Sequence, residues 1–220
     1  MTTMQAAVAA PPRILGFLAP VGPVAMAGWA FALPYQLSDA PQVWIPKAAA
    51  GSGRLQISFI LLLVFAVTAL AGAIVTGIEA RRASRRIGTA GLVLTFLGFA
   101  AVSFGGAGYD AAAVASYRVV HDVAQVERIL AELGSFAAPV LASAVFVPLT
   151  ALGVILMGIA LWRGRAVPRW AAAAMIVAFP VILGGGAVST IVNGSGWLLL
   201  AVGFGAAGVA YARRDGVSRA

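Results

Sequence analysis

The sequence contains no cysteine and a single histidine, His121. Without thiols the chain has no disulfide, no thiolate nucleophile, no iron–sulfur cluster and no Cys-ligated zinc. One imidazole also excludes a bis-His haem within one chain. We therefore expect neither a catalytic residue of these kinds, nor a metal site, nor a cofactor.

Charged residues are scarce. They make up 10% of the 220 residues, against 61% that are hydrophobic, whereas a soluble domain has about a quarter charged. Such a chain cannot cover its surface with polar groups in water, and a lipid bilayer is the solvent that matches it. We expect the net charge of +8 to reflect membrane topology rather than nucleic-acid binding.

Long apolar stretches predict the transmembrane helices, because about 20 apolar residues are needed to cross a hydrocarbon core of about 30 Å. The stretches contain no Asp, Glu, Lys, Arg or His and lack the polar–apolar alternation of barrel strands. The expected fold class is all-α, a polytopic membrane helix bundle with about six transmembrane helices. The predicted spans are residues 14–33, 57–78, 87–107, 136–162, 170–188 and 191–212.

The basic residues orient these spans, because short cytoplasmic loops are enriched in Lys and Arg. Alternating spans place most of the basic residues on one side, with Glu79 and Asp215, while the remaining acids fall on the other. The Ala-, Arg- and Gly-rich composition is typical of bacterial chains. We therefore expect a multi-pass inner (plasma) membrane protein with both termini in the cytoplasm. The residues assigned to the cytoplasmic side are Arg13, Arg81, Arg82, Arg85, Arg86, Arg163, Arg165, Arg169, Arg213, Arg214 and Arg219.

The first span has a second interpretation, a cleaved signal peptide. Arg13, an apolar run and then Ala25-Met26-Ala27 fit that pattern loosely. The run continues apolar to Leu33, which favours a retained span. Cleavage would leave the orientation of the later spans unchanged.

The connecting segments differ in character. Residues 34–56 contain three prolines and two glycines and predict an irregular loop. Residues 110–133 have apolar residues at helical spacing and predict one amphipathic extracytoplasmic helix, lying on the membrane surface or capping the bundle. Asn193-Gly194-Ser195-Gly196 predicts the turn between the fifth and sixth spans.

One glycine motif invites a nucleotide-binding interpretation. Gly203-Phe204-Gly205-Ala206-Ala207-Gly208 matches G-x-G-x-x-G, but a dinucleotide site needs that motif at a strand-to-helix turn. Here it lies within a predicted span, where small residues allow close helix packing. We expect packing and no nucleotide.

Prolines inside the spans suggest a mid-membrane kink or cavity formed by Pro23, Ser143, Pro148 and Thr150. Paired broken helices in two three-span halves are one arrangement of a transporter site. The alternative is a set of modest kinks sealed by apolar side chains. The second is favoured because no ionisable group lies at that depth.

The stretch Leu161-Trp162-Arg163-Gly164-Arg165-Ala166-Val167-Pro168-Arg169-Trp170 resembles a loop found in bacterial multi-pass membrane proteins of unknown function. Their pattern is a Leu-Trp-Arg span end, a short basic turn and Val-Pro-x-Trp opening the next span. The resemblance covers spans four to six, about 40% of the chain. It implies no activity and transfers no site residue.

These observations predict a non-catalytic membrane protein that binds a lipid, a hydrophobic small molecule or a membrane partner. A small transporter or channel is the alternative, and a membrane enzyme acting on an apolar substrate is a weaker one. The expected partners are the lipid bilayer and either another membrane protein or a second copy of the chain, with no nucleic acid.

Overall fold

The regular structure of the chain is helical throughout the residues that the computed structural model describes, 14–105 and 108–217. The side chains of residues 102–105, 137–139, 143 and 215–217 lie outside that description. The helices are α1 Ile14–Leu18, α2 Val21–Ala32, α3 Pro41–Ala50, α4 Ser52–Ala83, α5 Arg85–Gly105, α6 Tyr109–Val120, α7 Val123–Leu133, α8 Ala137–Gly164, α9 Arg169–Val188 and α10 Thr190–Val217.

Among the described residues, five segments are long and apolar enough to cross a membrane. They correspond to the first, second, fourth, fifth and sixth predicted spans, so the all-α membrane bundle is confirmed. The predicted third span, 87–107, coincides with α5 but extends into residues 106 and 107, which lie outside the description. The five segments are Ile14–Ala32, Ser52–Ala83, Val140–Gly164, Arg169–Val188 and Thr190–Arg214.

The long helices pack in a closed ring in the order α2, α4, α5, α8, α9 and α10, which returns to α2. Glycine positions show that neighbours run antiparallel. Gly22 lies against Ala69 of α4, while Gly72, later in α4, lies against the earlier Ala19. Helix α4 also contacts α8 and α10 across the ring, so α4 is the central helix of the bundle.

Aromatic side chains fill the middle of the ring. Phe65 of α4 lies edge-on to Phe99 of α5, with ring centroids 5.3 Å apart, and to Trp197 of α10 at 5.6 Å. Trp197 continues to Phe179 of α9 at 6.0 Å. All four side chains are almost fully buried. Edge-to-face pairs of this kind add about 0.5–1.5 kcal/mol each beyond burial of their area.

A close helix crossing in the interior joins α5 and α8. A methyl group built on Gly98 would lie 2.8 Å from the backbone nitrogen of Thr150, and one on Gly153 would lie 2.5 Å from that of Thr95. Both threonines are fully buried. Each helix therefore presents a threonine to a glycine of the other, and the small residues allow the backbones to approach as membrane helices require.

The first span is broken. Helix α1 ends at Leu18, and α2 begins after a turn at Ala19 and Pro20. Pro23 then falls in the first turn of α2, where its missing N–H costs little. The carbonyl oxygen of Ala19 would lie 2.6 Å from a methyl on Gly72. The absence of a side chain at Gly72 therefore lets α4 approach this break.

The prediction of an irregular loop at residues 34–56 was wrong over Pro41–Ala50, which forms α3, and from Ser52 onward, where α4 begins. Pro41 stands at the start of the helix, where proline is favoured because that N–H has no helical partner. Pro46 lies inside α3. In sequence these prolines suggest a break, but a ten-residue helix packed against a neighbouring helix tolerates them.

The single amphipathic helix predicted at residues 110–133 is two helices, α6 and α7. His121 ends α6 in the left-handed region with φ 53°, and Asp122 begins α7 by accepting a 2.9 Å hydrogen bond from the backbone N–H of Ala124. A side-chain cap of this kind favours a new helix start. Because the apolar spacing continues across His121 and Asp122, the sequence pattern does not reveal the break between the two helices. Helices α3, α6 and α7, the outer cap, pack around buried Ile45, Ala113, Val126 and Leu130.

The boundary predicted at Asn193-Gly194-Ser195-Gly196 was also wrong. Helix α9 ends at Val188, Ser189 is extended, and α10 begins at Thr190. The Ser189 hydroxyl accepts a 3.2 Å hydrogen bond from the N–H of Val192. Gly196 lies inside α10, where a methyl would lie 2.8 Å from the backbone nitrogen of Ile182. Gly196 therefore allows close helix packing. Its sequence context does not distinguish a glycine in a turn from a glycine at a helix contact.

Candidate functional site

The two basic turns of the sequence meet at one end of the bundle, called here the arginine end. The turn around Ser84 joins α4 to α5, and the turn at residues 165–168 joins α8 to α9. A methyl on Gly164 would lie 2.8 Å from the Cα atom of Ala83, so the turns are in direct contact. The antiparallel ring thus gathers, at one end, those arginines assigned to one side that the structure describes, while Arg13 and Arg219 lie outside the described residues.

A buried acid, Glu79, organises this end. Its side chain is fully buried, and its Oε1 accepts a 2.5 Å hydrogen bond from Nη1 of Arg82. Its Oε2 lies 3.5 Å from Nε of Arg214 in α10. Both arginine side chains are about half exposed, at 45% and 52%. Glu79 therefore fixes two guanidinium groups at the surface and ties the end of α10 to α4.

Sequence reasoning placed Glu79 only as one acid in a basic loop and gave it no role. The available signal was its spacing. Glu79 precedes Arg82 by three residues, which is ion-pair spacing on a helix. It also follows Thr76, whose buried hydroxyl faces the same side of α4. Arg214 becomes the second arginine near Glu79 only because α10 packs beside α4.

Next to Glu79 lies an open groove of about 340 Å³ lined by Ile78, Arg81, Arg82 and Arg85. Arg82 is engaged by Glu79, whereas Arg81 and Arg85 have no acidic partner among the described side chains. Guanidinium groups bind phosphate oxygens in bidentate geometry, and they remain charged at all physiological pH values. The arginine groove, as we call it, is suited to a phosphate ester with an apolar group near Ile78.

The residues of the predicted proline site lie on different helices and differ in burial. Pro23 is buried in α2, which packs on α4 and α10, while Pro148 is exposed on α8, which packs on α5 and α9. Thr150 is buried against Gly98. The side chain of Ser143 lies outside the described residues. The kink or cavity hypothesis for these four residues stays a prediction.

The G-x-G-x-x-G motif lies within α10, and its first and last glycines are packing positions. Gly203 faces Met175 of α9, and Gly208 faces Gly16 of α1. Gly205 is different, because a methyl there would meet Pro20 at an ordinary contact distance of 3.7 Å. Helix packing is confirmed for Gly203 and Gly208, whereas Gly205 has room for a side chain.

At the other end of the bundle, polar contacts attach the outer cap. The Tyr35 hydroxyl donates a 2.6 Å hydrogen bond to Asp110 of α6, and Gln42 donates to Glu127 of α7 at 3.1 Å. Burial raises the pKa of Tyr35, and the nearby Asp110 carboxylate raises it further. Burial also raises the pKa of Asp110, opposed in part by the bond from Tyr35.

The cap also contains the single histidine, His121, together with Asp110, Asp122 and Glu127. In residues 14–105 and 108–217, no three His, Asp or Glu side chains are grouped to hold a metal ion. Asp122 is used as a helix cap, and Asp39 pairs with Lys47 at 2.9 Å. The hydrogen bond from Lys47 lowers the pKa of Asp39.

Comparison with protein-family models, with curated proteins and with solved structures found no match to this chain. The functional argument therefore rests on the geometry of the chain itself. The fold and the site define an all-α protein with membrane-spanning helices and a cluster of arginines at one end.

Proposed function

We propose that this chain is a non-catalytic integral membrane protein that binds an anionic lipid at the arginine groove. The supporting observation is the groove itself, in which Arg81 and Arg85 lack acidic partners among the described residues and Ile78 supplies an apolar wall. Each basic residue near an anionic membrane surface contributes about 1 kcal/mol of attraction. Two or three guanidinium groups therefore favour an anionic lipid over a neutral one by roughly 30- to 150-fold.

The proposal includes a sixth span, α5. Gly88 of α5 lies against Ala80 of α4, and Gly91 and Gly98 lie against Met157 and Thr150 of α8. A helix packed lengthwise between two membrane-spanning helices shares their depth. Six antiparallel spans also fit the placement of every basic turn at one end.

The arginine end is assigned to the cytoplasm of an inner (plasma) membrane, because short basic loops remain on that side. Both termini are then cytoplasmic, and the outer cap faces the opposite compartment. This orientation puts the arginine groove at the headgroup level of the leaflet that carries a negative surface potential.

The filled interior disfavours the transporter or channel alternative. Phe65, Phe99, Phe179 and Trp197 occupy the centre of the ring, where a carrier needs a polar path or cavity. The buried hydroxyls of Thr95 and Thr150 lie in a close helix crossing beside this stack rather than along an open path.

Native mass spectrometry tests the proposed function. The full chain is purified in detergent and mixed with equal amounts of phosphatidylglycerol and phosphatidylcholine. We expect the wild-type protein to retain phosphatidylglycerol preferentially, and Arg81→Gln with Arg85→Gln to reduce the preference of the arginine groove itself roughly 10- to 30-fold, which is read as the loss of one retained phosphatidylglycerol.

The matched control is Arg118→Gln with Arg128→Gln, which removes two exposed arginines from the outer cap. These substitutions lower the net charge equally and should leave the lipid preference unchanged. An unchanged preference in the groove variant, or an equal loss in the cap variant, would contradict a site at the arginine groove.

A further inference from the structure

A second groove lies on the outer surface between α8 and α9. It has a volume of about 300 Å³ and is lined by Ile159, Trp162, Ala173, Ile176 and Val177. Trp162 is 39% exposed and Val177 is 46% exposed, so the groove opens toward lipid. This surface, the α8–α9 groove, is lined by apolar side chains and therefore suits a hydrocarbon chain rather than a polar ligand.

Close packing of the two helices forms the floor of this groove. A methyl on Gly158 would lie 2.8 Å from Cγ1 of Ile176 and 3.2 Å from the carbonyl oxygen of Ala172. The helices therefore touch at Gly158, next to the groove-lining Ile159. A groove above a close helix contact favours one defined position for an acyl chain, whereas bulk lipids exchange their positions along the protein surface.

Arginines follow both walls of the groove toward the arginine end. Arg163 comes four residues after Ile159 on α8, and Arg169 comes four residues before Ala173 on α9. Residues four apart lie on the same face of a helix. Both side chains are exposed, and neither has an acidic partner among the described side chains.

We propose that the α8–α9 groove and this arginine pair together form a site for one anionic phospholipid. An acyl chain lies between Ile159 and Val177, and the phosphate is held by Arg163 and Arg169. The occupant is a phospholipid because a single molecule must present an anionic group and a hydrocarbon chain in succession. The site is separate from the arginine groove of α4 and α5, and each is tested by its own substitutions.

Counting retained lipids distinguishes the two sites. The full chain in detergent is titrated with phosphatidylglycerol, and native mass spectra count the bound molecules. Ala173→Leu adds a larger side chain at a half-buried position that lines the α8–α9 groove, and it should remove one bound lipid. Arg163→Gln with Arg169→Gln should lower the phosphatidylglycerol preference of that same site roughly 10- to 30-fold while leaving weaker phosphatidylcholine binding.

The control for the filled groove is Ala144→Leu, which adds the same side chain to an exposed position of α8 far along the helix. It should leave the lipid count unchanged. Equal lipid counts in wild type, Ala173→Leu and the double arginine variant would overturn the proposal. Loss on Arg81→Gln with Arg85→Gln alone would support only the first site. Loss of one lipid on Ala173→Leu with an unchanged phosphatidylglycerol preference in the Arg163/Arg169 variant would overturn the assignment of the phosphate to these two arginines.

Discussion

The crossing of α1 and α10 gives a sharp test of the packing. A methyl on Gly208 would meet the carbonyl oxygen of Gly16 well inside contact distance, with the Gly16 carbonyl carbon at 3.0 Å and Cβ of Ala19 at 3.2 Å. Carbon atoms prefer separations of about 3.5–4.0 Å. Backbone atoms cannot rotate away as a side chain can, so α1 must shift to admit the methyl.

Gly205→Ala is the matched control, because it lies in the same helix and its methyl would meet Pro20 at an unstrained 3.7 Å. Both substitutions gain the same helix propensity, about 1 kcal/mol, so that contribution cancels in the comparison. The remaining difference is overpacking at Gly208, about 1–3 kcal/mol. At about 2–4 °C per kcal/mol for a chain of this size, Gly208→Ala should melt about 2–12 °C below Gly205→Ala.

The assay is thermal unfolding of both purified variants in the same detergent, followed by tryptophan fluorescence. Trp197 is buried in α10 and reports loss of packing. Equal melting temperatures, or a higher value for Gly208→Ala, would refute the proposed close contact between α1 and α10. Circular dichroism at low temperature serves to show that both variants begin fully helical.

Three further predictions concern topology, the outer cap and the buried acid. Ser84→Cys should react with an impermeant thiol reagent only after the cells are opened, and Ser116→Cys should react in intact cells; the opposite pattern would invert the orientation. The pKa of Asp110 is raised in the folded protein. The contribution of Asp110 to folding stability is therefore fully present below its unfolded pKa of about 3.9 and is lost as the pH rises through the raised pKa. Asp110→Asn should therefore raise the melting temperature at neutral pH and flatten the dependence of the melting temperature on pH. Melting temperatures of the variant and the wild type that change in parallel from pH 4 to 8 would contradict this prediction. Arg214→Gln should lower the free energy of unfolding, because Glu79 is then buried with one partner. Adding Glu79→Gln should restore part of this loss. Additive losses in this double-mutant cycle would contradict an ion pair between Glu79 and Arg214.

Local patterns explain which expectations the structure confirmed. The length of the apolar stretches predicted the helices that could span a membrane. Such a helix makes its own backbone hydrogen bonds and needs apolar side chains whether it contacts lipid or another helix. The assignment of arginines to one side also follows from chain order alone, since each span reverses direction. Errors occurred where proline or glycine had two compatible roles, as with Pro41 at the start of α3 and Gly196 inside α10.

The candidate sites could be predicted only in part. The sequence shows Arg81 and Arg85 as a basic loop, but Glu79 has a role only because α10 brings Arg214 to within 3.5 Å of it. Likewise the α8–α9 groove exists because Gly158 lets two helices touch. Contacts between residues this far apart in sequence leave no periodic signal in either segment.

By itself, then, the sequence determined that the chain is helical, that its long helices are apolar enough to cross a membrane and that the described arginines assigned to one side share one end, because hydropathy and charge act on each segment independently. The tertiary structure alone decided which helices are neighbours, that the centre of the ring is filled by Phe65, Phe99, Phe179 and Trp197, and that Glu79 is buried. In a bilayer every span is apolar on all sides, so hydropathy cannot say which face meets lipid and which meets another helix. Close packing at small residues makes that choice, and it depends on both partners at once.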